Sequence, residues 1–237
     1  MHNPFVTRFM VLLFVVLFAG YAIADPQGTT ISNNVTETAP VGNIGSLTTA
    51  GGSFTTLVLN TTTQTPRWKA YVGNVTGTFT LDDADGNTLY DWSANTFTGE
   101  VFASRSDSVD WGQIQCVQNS NILSEHTALN MTAVQVDNIN RTFNNTIHAE
   151  FWVGSDFFPQ SNCRAIATYV NDAAQTPDVN ADFQVVLLDD TSNLVFTALV
   201  ENDQTGFDSQ PYDFQMIVPE SDRQVTPQTY YFYTELG

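Results

Sequence analysis

Beyond residue 66 this chain offers short strand-like runs and turn clusters, and almost nowhere the long apolar repeat of a helix. Phe183–Leu188 is a continuous apolar run, as in a strand buried on both faces. Phe143, Ile147, Ala149, Phe151 and Val153 alternate with Thr146, His148, Glu150 and Trp152. Leu194–Val200, Tyr212–Val218 and Thr229–Leu236 supply three further strands, and the connections DADGN, DDTSN, ENDQTGFD and PESDRQVTPQ are turn-like. In Trp68–Leu81 the apolar phase is even at Trp68, Ala70 and Val72, then odd at Val75, Phe79 and Leu81. A flip at Gly73-Asn74 indicates a β-bulge or a strand break. The helical exception is Val109–Leu129, where Asp110-Trp111 and Ser120-Asn121 could each start a short helix. The class this predicts is all-β: a β-sandwich, with the jelly roll as one form of it, carrying one or two short helices.

The N-terminus carries an address. His2–Arg8 is a short basic region, Phe9–Ile23 a nearly unbroken apolar one, and Ala22-Ile23-Ala24 offers the small residues a signal peptidase reads. The apolar run, about 15 residues, is short of the roughly 20 needed to span a bilayer. Residues 1–24 therefore read as a secretory signal peptide cleaved before Asp25, with an uncleaved anchor as the alternative. No later run is long and apolar enough to span. The expected product is secreted or extracellular and associated with the cell surface.

Residues 25–66 are rich in Thr, Ser, Gly and Asn, and carry no basic residue. They read as an arm with little to bury. Ser53-Phe54-Thr55-Thr56-Leu57-Val58-Leu59 departs from that pattern and is expected to form a strand on its own body or on a neighbour. Residues 67–237 form the body.

The formal charge is −18, from seven Lys and Arg against 25 Asp and Glu. Losing residues 1–24 removes Arg8 and no acid, so the mature balance is 6 − 25 = −19. Such a field repels phosphate backbones and anionic lipid, which argues against nucleic-acid and membrane partners. Cys116 and Cys163 form the one cysteine pair, read as a disulfide in an exported chain. Asn34, Asn60, Asn74, Asn130, Asn140 and Asn144 each open an Asn-x-Ser/Thr sequon, so glycosylation is expected where the host has the machinery.

The acidic stretch FTLDDADGNTLYDW, residues 79–92, allows two readings. With Gly86 at position 6 of a helix–loop–helix calcium loop, Leu81 would fall at position 1 and Trp92 at position 12, so that motif fails. A looser calcium site remains, built from Asp82, Asp83, Asp85 and Asn87, with Asp91 nearby; hard oxygen donors favour calcium. The other reading is a hairpin whose turn takes its positive φ from Asp85-Gly86-Asn87. Glu201, Asp203 and Asp208 offer a second, weaker calcium set. Leu187-Leu188-Asp189-Asp190 echoes Thr80-Leu81-Asp82-Asp83 and reads as repeated hairpin grammar.

Catalytic signatures are missing from the sequence. His126 and His148 are the only histidines after residue 24, and His148 beside Glu150 reads as a solvated pair on a strand. There is no GxSxG, HExxH or phosphate loop. The expectation is a protein that is not an enzyme.

Two stretches carry a resemblance. One is Arg67–Gly77 (RWKAYVGNVTG), followed by LDDADGNTLYDW and Gly99-Glu100-Val101. The other is Thr205-Gly206-Phe207-Asp208, then Tyr212–Pro219 (YDFQMIVP) and Tyr230–Leu236 (YYFYTEL). From about residue 67 onward the pattern resembles a group of exported, β-rich archaeal surface proteins with no established activity. The resemblance implies a surface role and transfers no catalytic or metal residues. The expected function is an extracellular structural protein, a filament- or surface-layer-type subunit that self-associates through β-strands or contacts other surface proteins and glycans. The alternative is a calcium-dependent carbohydrate- or surface-binding module.

Overall fold

The computed structural model describes residues 25–40, 42–94, 98–221 and 227–235. It is all-β, with every strand pair antiparallel, including the short pair β12 (Gln204–Thr205) and β13 (Pro211–Tyr212). The centre is a seven-stranded sheet. Four of its strands run in the order β15 (Tyr231–Thr234), β5 (Glu100–Ser104), β11 (Leu194–Leu199), β10 (Gln184–Asp189). The outer edge of β15 takes β1 (Gln27–Gly28), and that of β10 is shared by β9 (Arg164–Ala167) and β6 (Gln115–Cys116).

Both faces of β5, β11 and β10 are buried, which is why these strands are so apolar. Val101, Ala103, Val185, Leu187, Leu194 and Phe196 face one core, while Phe102, Val186, Leu188 and Val195 face another. Over the first face lies a ribbon of β2 (Trp68–Gly73) and β14 (Phe214–Pro219), contributing Met216 and Val218. Beside it, α1 (Asn119–Ala128) and α2 (Ile139–Thr142) bury Ile122 and Ile139. Over the second face lies the hairpin of β7 (Phe151–Val153) and β8 (Asp156–Phe158), with Trp111 and Ile114. Of the second sheet that a sandwich calls for, the described residues supply the β2–β14 ribbon, and the helices fill the rest of that layer. Each fully buried Phe or Leu contributes about 1.5–3 kcal/mol.

The helical starts fall where the sequence placed them. Asp110 caps a 3-10 turn at Trp111–Gln113 by accepting from the Gly112 N–H, and α1 follows. Several expectations need correction. The flip at Gly73-Asn74 is a strand break: β2 ends there, and β3 (Gly77–Asp82) pairs with β4 (Thr88–Ala94) in a separate hairpin. Trp68 packs on the core as expected, but the phase of β2 is reversed beyond it. Met216 lies opposite Tyr71 and Val218 opposite Lys69, so Tyr71 turns inward and Val72 outward. The large aromatic, set edge-on to Phe232, wins the buried face over smaller Ala70 and Val72. Of the alternating run from Phe143, only Phe151–Val153 is a strand; Asn145 makes a lone bridge to Ala165. His148 is fully buried: its Nε2 accepts from the N–H groups of Asn162 and Cys163, so it is a structural acceptor and makes no solvated pair.

The strand expected at Ser53–Leu59 is not formed. A strand needs a ladder partner, and among the described residues these have none, leaving Phe54, Val58 and Leu59 more than four-fifths exposed. The arm is tied down at its two ends. Gln27 and Gly28 pair with Thr234 and Tyr233. At the other end Thr65 and Arg67 both bind Asp137, whose carbonyl also accepts from the Trp68 indole.

Cys116 and Cys163 are joined, with their Cα atoms 5.0 Å apart. The bond links β6 to the residue preceding β9, two segments laid end to end along one edge of β10: Cys116 opposes Leu188, and Arg164 opposes Leu187. Among the described residues no helix is long and apolar enough to cross a membrane. The predicted signal peptide lies outside the described residues.

Candidate functional site: a carboxylate-lined cleft

The acidic turn itself is a hairpin device. Asp83 follows β3, and its carboxylate accepts from the N–H groups of Asp85 and Asn87 and from the Asn87 side-chain amide, at 2.8–3.1 Å. Its own N–H donates to the Asn87 carbonyl, and Gly86 supplies φ +82°. These donors hold Asp83 below the usual carboxylate range, the Asn87 side chain first. Asp82 accepts from Thr80 Oγ1. A cation placed among Asp82, Asp83, Asp85 and Asn87 would compete with the donors that close the turn. The echo at Asp190 uses the same chemistry: its carboxylate accepts from Ser192 N–H, Asn193 N–H and the Asn193 amide.

The second calcium set is dispersed. Asp208 accepts from Gln210 N–H and the Tyr212 hydroxyl, Asp203 N–H donates to Asp213, and Glu201 accepts from Phe183 N–H. Among the described residues no three His, Cys, Asp or Glu come together as a metal-holding group.

Glu201 instead belongs to an open cleft of about 670 Å³ at one end of the central sheet. Its walls are the start of β5, the residues after β11 and β15, part of β7, and the loop 179–182. Among the described residues five carboxyl side chains line it, Glu100, Glu150, Asp182, Glu201 and Glu235, and no lysine, arginine or histidine does.

The geometry follows from sheet pairing. The Glu235 N–H donates to the Glu100 carbonyl at 3.2 Å, which brings two glutamates on neighbouring strands to the same end of the sheet. Glu235 Oε2 accepts from Gly154 N–H at 2.8 Å. Burial, then repulsion from Glu235, pushes the Glu100 carboxyl up to about 8. Burial, with Asp182 adding to it, pushes Glu201 up to about 7. Glu235 is also raised, by burial and by the Asp25 carboxylate. At neutral pH this wall therefore presents protonated and ionised carboxyls together, able both to donate and to accept.

The opposite wall is fixed by Gln184. Its side-chain amide donates to the carbonyls of Ala181 and Val179, and its oxygen accepts from Ala149 N–H. Next to it, Phe183 is held at φ +51°, a costly conformation for an aromatic residue (about 1–3 kcal/mol). On the rim, Trp152 is half exposed and packs on Phe157 with ring centroids 4.9 Å apart.

Sequence reasoning missed Glu100 and Glu235 and misassigned Glu201. A signal was present: each glutamate stands at one end of an apolar strand, in GEVFA, YFYTEL and TALVE. Of the sequon asparagines, Asn34, Asn60, Asn74, Asn130 and Asn144 are exposed. Asn140 is half-buried, within α2.

No protein-family model, curated protein or solved structure matches the chain.

Proposed function

We propose that this chain is a secreted, non-enzymatic structural protein of the cell surface, whose copies assemble through β-strand contacts. The observation that carries the reading is the exposed apolar segment Phe54–Leu59, composed as a strand and lacking one. The β3–β4 hairpin supports it: among the described residues both its outer edges are unpaired, and Phe79, Leu81, Tyr90 and Trp92 are exposed. An isolated two-stranded hairpin is marginal in water, and a third strand stabilises it. An arm strand from another copy would satisfy both partners at once.

Light scattering and negative-stain microscopy of the protein beginning at Asp25 test this. Fibres or sheets are expected, lost in a Phe54→Ser, Val58→Ser, Leu59→Ser variant whose body melts normally. A monomer at all concentrations would overturn the reading.

A second reading, a carbohydrate- or surface-binding module, is favoured by Trp152 on the rim of a cleft whose carboxyls can hydrogen-bond hydroxyl groups. It predicts retention on a polysaccharide column that Trp152→Ala abolishes.

A further inference from the structure

Among the described residues the cleft has no lysine, arginine or histidine in its walls, yet Glu100 and Glu235 are both more than nine-tenths buried there. Buried carboxylates of like charge are costly unless a cation meets them. A source of positive charge lies within reach, and it is the backbone itself. β1 runs antiparallel to β15, with Gln27 opposite Thr234 and Gly28 opposite Tyr233. Extended one step, that register sets Pro26, which is buried, opposite Glu235. Asp25 then packs on Gly154: a Cβ there would fall 3.0 Å from an Asp25 carboxylate oxygen, and Gly154 has φ +56°. The N–H of that same glycine holds Glu235. Asp25 is also the residue before which the sequence predicts signal-peptide cleavage.

We infer that cleavage before Asp25 completes the fold, because the α-ammonium it releases docks in the carboxylate cleft and forms an ion pair with Glu235 beside Glu100. While residue 24 is attached, the Asp25 nitrogen is a neutral amide, and this residue brings only its own carboxylate toward Glu235. Hydrolysis of the 24–25 peptide bond by water leaves a carboxylate on residue 24 and an amine on Asp25, which takes up a proton at neutral pH. Residue 25 then carries both signs into the cleft, and Glu235 gains a counter-charge beside Glu100. The groups facing it are Glu235 just after β15, Glu100 at the start of β5, and Asp25's own carboxylate; Glu150, Asp182 and Glu201 line the remainder of the cleft. The raised carboxyls of Glu100 and Glu235 are consistent with a site that lacks its cation. This inference rests on the secreted reading, since it needs the leader to be removed at that bond.

The test compares protein beginning at Asp25, released from a fusion that leaves no extra residue, with the same protein carrying one glycine before Asp25. Each is also made as Glu235→Gln. The free terminus is expected to melt about 2–4 °C higher at pH 7, and Glu235→Gln should erase the difference. NMR titration should place the Asp25 ammonium about one unit above the ordinary 7.7–8.0, a tenfold gain in proton affinity. Equal melting together with an ordinary amino titration would overturn the ion pair. N-terminal sequencing of the exported protein checks the cleavage separately. A terminus other than Asp25 overturns the processing step, while the melting comparison still judges the ion pair.

Discussion

The backbone N–H of Glu235 donates to the carbonyl of Glu100, so two buried glutamates share one end of the central sheet. A carboxyl whose folded pKa is about 8, against an ordinary value near 4.5, binds its proton more tightly folded than unfolded. Stability is then full below about pH 4.5 and falls as pH rises through the interval to about 8. The melting temperature of protein with a residue ahead of Asp25 should drop across that window, and Glu100→Gln should flatten the slope. An unchanged slope would remove Glu100 from this role.

His148 works in the opposite direction. Burial lowers its pKa, and its Nε2 must stay unprotonated to accept from Asn162 and Cys163. Its contribution is complete above the ordinary value near 6.5 and is lost as pH falls below that toward the depressed folded value. The His148 ring resonance should hold its neutral position well below pH 6.5 in a proton NMR titration, until the fold itself opens.

The two Asp–Asn turns should differ in consequence. Asp83 is exposed, so Asp83→Ala should speed amide exchange at Asp85 and Asn87 and leave the melting temperature of the body alone, with or without calcium. Asp190 is buried and also accepts from Asp110 N–H, tying its turn to the 3-10 cap. Asp190→Ala should cost about 2–3 kcal/mol in denaturant unfolding.

Breaking the Cys116–Cys163 bond releases a loop with a sequence separation of 47. The chain-entropy relation gives a loss of about 4 kcal/mol. Melting in reductant, compared with a Cys116→Ser, Cys163→Ser variant, should show the same downward shift in both.

The strands that pack on both faces were legible in the sequence because VVLL in β10 and LVF in β11 permit no exposed face. Asp110 likewise announced its cap by type and position. The strand phase of β2 was not legible, since the choice between Tyr71 and Val72 is made by Met216 and Phe232, far away in sequence. The cleft was hidden for a related reason. Glu100 precedes Glu201 by 201 − 100 = 101 positions and Glu235 by 235 − 100 = 135, and only strand pairing gathers them. The acidic turn drew attention by concentrating its charge locally, yet Asp83 spends that charge on closing its own loop.

β6 and β9 make no ladder with one another; each finds its place only on β10. Cys116 and Cys163 both precede residues 184–189 in the chain. As the polypeptide emerges from its N-terminus, both thiols are available before the strand that aligns them has been made. Correct oxidation is thus templated by a later segment, and an oxidant acting before β10 arrives would join sulfurs with no register to guide them.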